Sequence, residues 1–212
     1  VYCVTLYIPV TLHHRKVITK MKLKMRKLVL IMMMCLAALS SYSCAQSDEP
    51  VTQVSGKKIL VAYFSWGGTT KRLAEEIASL TGGDLFSIET VTPYPTDYTP
   101  CTEVAKEELE KGIRPPLKDV VKNMDDYDIV FVGCPVWWHT APMAIWSFLE
   151  SKEYNLKGKI IVPFCTYAAT YRDETLAKIV ELTPDSEHLK GFGSTGSTSG
   201  AKGWLKEIGI IK

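Results

Sequence analysis

The sequence has few of the residues from which most catalytic and metal sites are built. Its 212 residues include only four histidines and six cysteines, and no two cysteines stand at the spacing of a zinc site. No Ser-His-Asp, Cys-His or paired-carboxylate arrangement can be recognised. We therefore expect no side-chain nucleophile, no general base and no metal ligand set.

Acidic residues are missing from the first 43 positions, and this absence divides the chain. That segment holds seven of the 25 Lys and Arg residues and none of the 23 Asp and Glu residues. The remaining residues carry 18 basic and 23 acidic side chains, a formal net charge of −5, although the whole chain has +2. An acidic main domain argues against nucleic-acid binding, which normally requires a basic patch.

The N-terminal segment has the order of an export signal. Leu28–Leu39 is an uninterrupted run of 12 apolar residues, which is short of the roughly 20 that span a bilayer. Small residues and Cys44 follow, so the segment resembles a lipoprotein signal in which Cys44 becomes the lipidated first residue. A retained N-terminal anchor helix is the alternative. The positive residues before the run are Lys20, Lys22, Lys24, Arg26 and Lys27.

These features predict four segments. Residues 1–19 are predicted to be sequence upstream of the true initiator methionine, and residues 20–43 to be a signal peptide. Residues 44–56 are predicted to be a flexible polar tether, and residues 57–212 the folded domain. The division predicts an exported protein whose domain lies in the periplasm. Its membrane contact would be a lipid anchor on the bacterial envelope.

From Lys57 onward, apolar runs alternate with helical patterns. Such alternation predicts an α/β fold with a doubly wound parallel sheet of five strands. Pro163 is expected at the end of its strand, since proline cannot donate to a ladder. The predicted strands are 59–64, 85–88, 129–132, 159–164 and 188–192, and the predicted helices are 70–80, 102–111, 142–151 and 173–182, followed by a closing helix after residue 200.

Three loops that follow strands carry unusual residues, and doubly wound sheets bind ligands at such strand ends. After the first strand, residues 65–70 (SWGGTT) lead into a helix, an arrangement that favours phosphate binding; plain capping by Thr69 or Thr70 is the alternative. After the third strand, Trp137 and Trp138 cannot both enter one core, so one is expected at the surface or against a planar ligand. His139 is expected in solvent. The third loop, residues 165–171 (CTYAATY) after the fourth strand, consists of small, hydroxyl-bearing and aromatic residues, as a ligand site would. An ordinary strand-to-helix turn is the alternative.

At these residues the chain resembles the flavodoxin family, in particular a bacterial branch with a Trp-Trp loop. The stretches that carry the resemblance are ILVAYFSWGGTTKRLAEEIA, DIVFVGCPVWWHTAP and IIVPFCT. The resemblance implies a sheet order of 2-1-3-4-5, one bound FMN and electron exchange with a redox partner protein. One departure is that the branch usually has glycines where this chain has residues 167–169 (YAA).

Carried over by position, the resemblance also implies site residues. The FMN phosphate would contact Ser65, Gly67, Gly68, Thr69 and Thr70, and Trp66 of the same loop would also contact the cofactor. One side of the isoalloxazine ring would meet Pro135, Val136, Trp137 and Trp138, with Trp137 covering a face and Trp138 shaping the rim. The other side would meet Thr166, Tyr167, Ala168 and Ala169.

The resemblance favours an electron carrier over a stand-alone FMN-dependent oxidoreductase. An NAD(P)H- or quinone-linked FMN reductase is the alternative among enzymes. A flavin-free binding module on the same fold is the alternative from another class.

Overall fold

The computed structural model describes residues 56–212, in which a parallel sheet is covered by helices on both faces. The predicted signal peptide, Cys44 and nearly all of the tether lie outside the described residues. The strands are β1 (Ile59–Tyr63), β2 (Asp84–Ser87), β3 (Ile129–Pro135), β4 (Ile160–Thr166), β5 (Glu187–His188) and β6 (Phe192–Ser194). The helices are α1 (Thr69–Thr81), α2 (Tyr98–Lys111), α3 (Met143–Leu149), α4 (Arg172–Glu181) and α5 (Ala201–Glu207).

The sheet confirms the predicted doubly wound topology. Its strands lie in the order β2-β1-β3-β4-β5, and each strand pair is parallel. Alternate residues of β1 and β3 enter two different cores: one side packs against α1 and α5, and the other against α3 and α4. Both faces are therefore buried, which explains why these strands appear in the sequence as continuous apolar runs.

The prediction that Pro163 ends its strand is wrong, because Pro163 lies inside β4 and pairs in register with Val132. The N–H groups of Glu187 and Leu189 donate to the carbonyls of Lys159 and Ile161, so odd-numbered residues of β4 face β5. Pro163 faces the same way, at a point where β5 has ended and β6 has not begun. The missing proline N–H therefore costs no ladder bond.

The predicted fifth strand, 188–192, is also wrong in detail, since two short strands replace it. Both β5 and β6 pair with β4, on either side of Pro163. A Cβ atom on Gly191 would lie 3.0 Å from Pro163 Cγ, so glycine lets the chain pass the proline ring between the two strands.

Helix α2 begins earlier than the sequence pattern predicted, at Tyr98 rather than Thr102. Asp97 is the N-cap residue, with extended dihedral angles. Pro100 lies within the first turn, where a proline removes no intrahelical hydrogen bond. None of the helices within residues 56–212 is long and apolar enough to cross a bilayer.

Candidate functional site

The three unusual loops meet at one edge of the sheet, beyond the carboxyl ends of β1, β3 and β4. These strands are neighbours, and Pro135 of β3 lies in register with Thr166 of β4. The N–H of Val136 donates to the carbonyl of Thr166 at 2.9 Å, which ties two of the loops together. Thr166 is the last residue of β4 rather than part of the loop that follows it.

The phosphate loop, Ser65–Thr70, leads into the N-terminus of α1. Gly68 is the N-cap residue, with a left-handed φ of 80°, and it has no side chain with which to cap the helix. Thr69 and Thr70 lie inside the helix, so the capping alternative is wrong. The first N–H groups of a helix have no acceptor within it, and here Ser65 Oγ accepts only from Lys71 N–H, at 3.2 Å. The remaining first-turn N–H groups are available to an anion.

The phosphate loop also has room for a ligand. A Cβ atom placed on Gly67 or Gly68 would meet no heavy atom within 4 Å. The positive φ of Gly68 explains the glycine at that position, since other residues adopt this conformation at a cost. Space, unpaired helical N–H groups and the helix dipole together make this loop suited to a phosphate group.

A buried pair of hydroxyl groups joins the phosphate loop to β4. Thr70 Oγ1 and Thr166 Oγ1 are 2.7 Å apart, and both side chains are buried. Thr70 and Thr166 are 96 positions apart in sequence, but they belong to two of the three loops singled out above. Their hydrogen bond fixes the distance between the predicted phosphate contact and the end of β4.

Trp66 differs from its neighbours in the phosphate loop because its side chain turns toward the loop after β2. Its Nε1–H donates to the carbonyl of Pro95 at 2.8 Å, and 39% of the residue is exposed. Trp66 therefore forms a wall beside the phosphate loop. A role for its side chain in FMN binding stays a prediction.

The two adjacent tryptophans point in different directions, as the sequence argument required. Trp137 is partly buried against the core, and its ring lies edge-to-face with Phe64 and Tyr94, with centroid distances of 5.2 and 5.0 Å. Trp138 is 41% exposed, and its Nε1–H donates to the carbonyl of Thr102 in α2. Which of the two stacks on a flavin stays a prediction.

The backbone of the Trp-Trp loop (Pro135–Pro142) contains a tight turn. Trp137 and Thr140 exchange two backbone hydrogen bonds, both 3.0 Å long. Between them, Trp138 and His139 have φ values of 46° and 68°. A two-residue turn with both central residues at positive φ normally contains Asn or Gly, which is why the sequence did not predict it.

His139 is exposed, as predicted, but it is not merely solvated. Its ring stacks on Tyr171, with centroids 3.7 Å apart and planes inclined by 23°. Tyr171 also has a left-handed φ, of 64°. All three non-glycine residues with positive φ in the described part of the chain thus lie in the second and third loops, and such strained residues cluster at functional sites.

Tyr94 and Phe64 pack against Trp137 beside the predicted site, and the sequence reasoning did not single out either of them. Tyr94 comes from the long loop after β2 and donates its hydroxyl to Glu108 Oε2 at 2.6 Å. Burial raises the pKa of Tyr94, and desolvation raises that of Glu108. The loop has no periodic pattern that would point to Tyr94, so the aromatic character of this residue is the only sequence signal for it.

Thiol and metal chemistry have little support in the described residues. Burial raises the pKa of Cys134 well above its ordinary value and that of Cys165 to about 12, so both thiols are neutral and behave as small hydrophobic groups. Within residues 56–212, no group of three or more His, Cys, Asp or Glu is placed to hold a metal ion.

A parallel sheet of this order, with a glycine-lined helix start where the strand order reverses, defines a flavodoxin-like α/β protein. Residues 58–208 match the family model described as Flavodoxin. The chain therefore belongs to the flavodoxin family.

Solved structures agree with this membership. A protein of Bacteroides eggerthii classed as a flavoprotein has 33% identity over 74% of this chain and 99% of its own, with a TM-score of 0.64. A protein of Bacteroides uniformis with the same classification has 28% identity over 71% and 99%, with a TM-score of 0.62. A flavoprotein of Lactobacillus acidophilus, solved in complex with FMN, has 24% identity over 70% and 98%, with a TM-score of 0.58. No curated protein matches the chain.

Proposed function

We propose that this protein binds one FMN and transfers electrons with it. The observation that carries the proposal is the start of α1, where Gly68 is the N-cap residue and the N–H groups of Thr69 and Thr70 have no partner among the described residues. Helical N–H groups, two unobstructed glycines and the hydroxyls of Ser65 and Thr70 fit a phosphate ester without a Lys or Arg contact. The FMN complex of the Lactobacillus acidophilus flavoprotein adds support by similarity.

The ring of the cofactor would lie between the Trp-Trp loop and the end of β4 with the third loop (Tyr167–Tyr171). Pro135, Val136, Trp137 and Trp138 would line one side, and Thr166, Tyr167, Ala168 and Ala169 the other. FMN supplies the chemistry, because it accepts and donates one or two electrons. The protein would hold the phosphate, orient the ring and limit its contact with water.

An electron carrier fits the described residues better than an enzyme with its own acid–base chemistry. The Trp-Trp loop and the third loop contain no Asp or Glu, and His139 is their only histidine. The alternative, a reductase that uses NAD(P)H or a quinone, is favoured by one observation: Trp138 and Tyr171 are exposed beside the predicted ring site.

The decisive experiment is the absorbance spectrum of purified protein after incubation with FMN and removal of excess. Retained flavin in one-to-one ratio would support the proposal, and colourless protein would favour the flavin-free binding module. Steady-state oxidation of NADPH with a quinone acceptor then separates a reductase from a carrier. A carrier should show no turnover above that of free FMN.

The Trp-Trp loop gives a second test. Trp137→Ala should increase flavin emission and weaken FMN binding, because a stacked indole quenches the flavin and contributes about 0.5–1.5 kcal/mol. Trp138→Ala removes the same ring from a side chain that is hydrogen-bonded to the carbonyl of Thr102 in α2. It should change flavin emission and FMN affinity less than Trp137→Ala does. A larger effect of Trp138→Ala would reverse the two roles.

We further propose that the protein is exported and lipid-anchored through Cys44 to the bacterial envelope. The support is the sequence order of charges, apolar run, small residues and cysteine. Cys44→Ala should move the protein from the membrane to the soluble fraction, whereas Cys35→Ala, within the apolar run, should not. Retention of Cys44→Ala on membranes would favour an uncleaved anchor helix.

A further inference from the structure

A cleft of about 540 Å³ opens beside the phosphate loop, over the carboxyl ends of β1 and β2. Sequence reasoning did not predict it, because half of its lining comes from the long loop after β2. Its volume lies within the range of small-molecule sites, about 300–1,000 Å³. Its lining shares Ser65, Trp66 and Gly67 with the phosphate loop but includes no residue of the Trp-Trp loop or of the third loop, so it borders the predicted phosphate site and lies away from the predicted ring site.

Three aromatic side chains form the walls of the cleft, and each is held in place. Trp66 is fixed by its hydrogen bond to the carbonyl of Pro95. Tyr94 is fixed by its hydrogen bond to Glu108, and Phe64 lies edge-to-face with Tyr94 at a centroid distance of 5.5 Å. Walls that are already ordered lose little conformational entropy when a ligand binds.

The cleft lacks the positive character of the start of α1, where the helix dipole favours an anion. No Lys or Arg lines the cleft, and its one carboxylate is that of Glu89, which pairs with Lys118 outside it at 3.2 Å. Ser87 and Thr96 add hydroxyl groups, neither of which bonds to another described residue. Ser65, Trp66 and Gly67 of the phosphate loop also line the cleft, but Thr69 and Thr70, whose N–H groups are available to an anion, do not. The lining therefore offers no cation and no free helix start to a phosphate or carboxylate group, and it offers hydroxyls to neutral oxygen atoms.

We propose that this cleft is a second binding site that takes an uncharged, planar aromatic molecule bearing carbonyl or hydroxyl oxygens, the chemical class of a quinone. The rings of Trp66, Phe64 and Tyr94 would pack on its faces and edges, and Ser87 and Thr96 would bond its oxygens. A dinucleotide such as NADPH is excluded from the cleft by its phosphate charges. The proposal goes beyond FMN binding and does not depend on it.

Equilibrium dialysis with 1,4-naphthoquinone tests the proposal on FMN-free and on FMN-incubated protein. Saturable one-to-one binding of similar affinity is expected in both samples. Trp66→Ala should weaken binding about tenfold, the effect of losing one well-placed aromatic contact. Trp146→Ala is the matched control: it too removes an indole that donates to a backbone carbonyl, that of Ala141, and because Trp146 lines neither the cleft nor the predicted flavin site, this variant should leave the affinity unchanged.

A second comparison tests the charge argument. 1,4-Naphthoquinone-2-sulfonate adds one negative charge and should bind at least tenfold more weakly than the neutral quinone. Glu89→Lys should narrow that difference, because it places a cation in the lining. If both probes bind equally, the charge argument is wrong.

Three further results would overturn the assignment. One is the absence of saturable naphthoquinone binding, and another is an equal loss of affinity in Trp66→Ala and Trp146→Ala. The third is competition, in which naphthoquinone binds only to protein without FMN; the cleft would then belong to the flavin site. Because binding to FMN-free protein is measured separately, failure of the cleft and failure of the FMN proposal are distinguishable.

Discussion

The buried hydroxyl pair of Thr70 and Thr166 allows a specific test of the predicted phosphate contact. The two oxygens are 2.7 Å apart, and the residues are only 2% and 6% exposed. Each hydroxyl donates one proton, so one proton joins the pair and the other can reach a bound anion. Thr70→Val should therefore remove both a structural hydrogen bond and, indirectly or directly, a contact to phosphate.

The size of each effect follows from this geometry. Without FMN, Thr70→Val leaves the Thr166 hydroxyl buried and unpaired, which should lower the free energy of unfolding by about 1–3 kcal/mol. With FMN, a lost hydrogen bond to a charged group should cost about 1.5–3 kcal/mol, a weakening of about ten- to 150-fold. In the Thr70→Val/Thr166→Val double variant, stability should largely return because no buried hydroxyl is left unpaired, whereas FMN affinity should not.

Urea unfolding of FMN-free protein gives the first quantity, and quenching of FMN fluorescence gives the second. Thr183→Val is the matched control: this threonine is 4% exposed, and its hydroxyl donates to the carbonyl of Ile179 at 2.9 Å. The Thr183→Val variant should have a lower free energy of unfolding than the parent but the same affinity for FMN. The reasoning is refuted if Thr70→Val binds FMN within twofold of the parent, or if the double variant regains affinity together with stability.

Three further predictions concern the free energy of unfolding, measured in urea. Gly133→Ala should lower it by at least about 1–3 kcal/mol, because a Cβ atom there would lie 2.0–2.5 Å from the Phe164 ring; unchanged stability would contradict this. Thr140→Val should be neutral or stabilising, since the buried Thr140 hydroxyl has no partner among the described residues. Burial lowers the pKa of His188 below its ordinary value of 6.5, so the native state binds this proton less readily than the unfolded chain does. Stability should therefore fall as the pH drops through that value, and His188→Gln should weaken the dependence.

The parts of the fold that the sequence predicted are those with local signals. Continuous apolar runs marked β1 and β3, and glycines with hydroxyl residues marked the phosphate loop. The errors came from contacts between distant segments. Pro163 fits inside β4 only because β5 ends and β6 begins on either side of it, and no property of β4 itself indicates that. Pro100 lies outside the predicted helix 102–111, although the first turn of α2 accepts a proline.

The candidate site shows the same division between local and distant determinants. The phosphate loop could be predicted because its glycines, hydroxyls and helix start lie within seven residues of sequence. The aromatic group of Phe64, Tyr94 and Trp137 could not, since its members come from three separate loops. Their edge-to-face packing exists only after β1 and β3 have paired.

The Trp-Trp loop shows why the sequence alone cannot assign the flavin-facing tryptophan. A left-handed backbone costs a non-glycine residue roughly 1–2 kcal/mol, and Trp138 and His139 both adopt one. Contacts to other elements offset that cost: Trp138 bonds Thr102 of α2, and His139 stacks on Tyr171 beyond β4. The turn is therefore held by α2 through Trp138 and by the third loop through His139. Trp137 is positioned by its paired hydrogen bonds at the base of that turn. The orientation of the Trp137 side chain therefore depends on α2 and the third loop as well as on the turn. A substitution in either of those segments would change this orientation even if the sequence of the turn stayed the same.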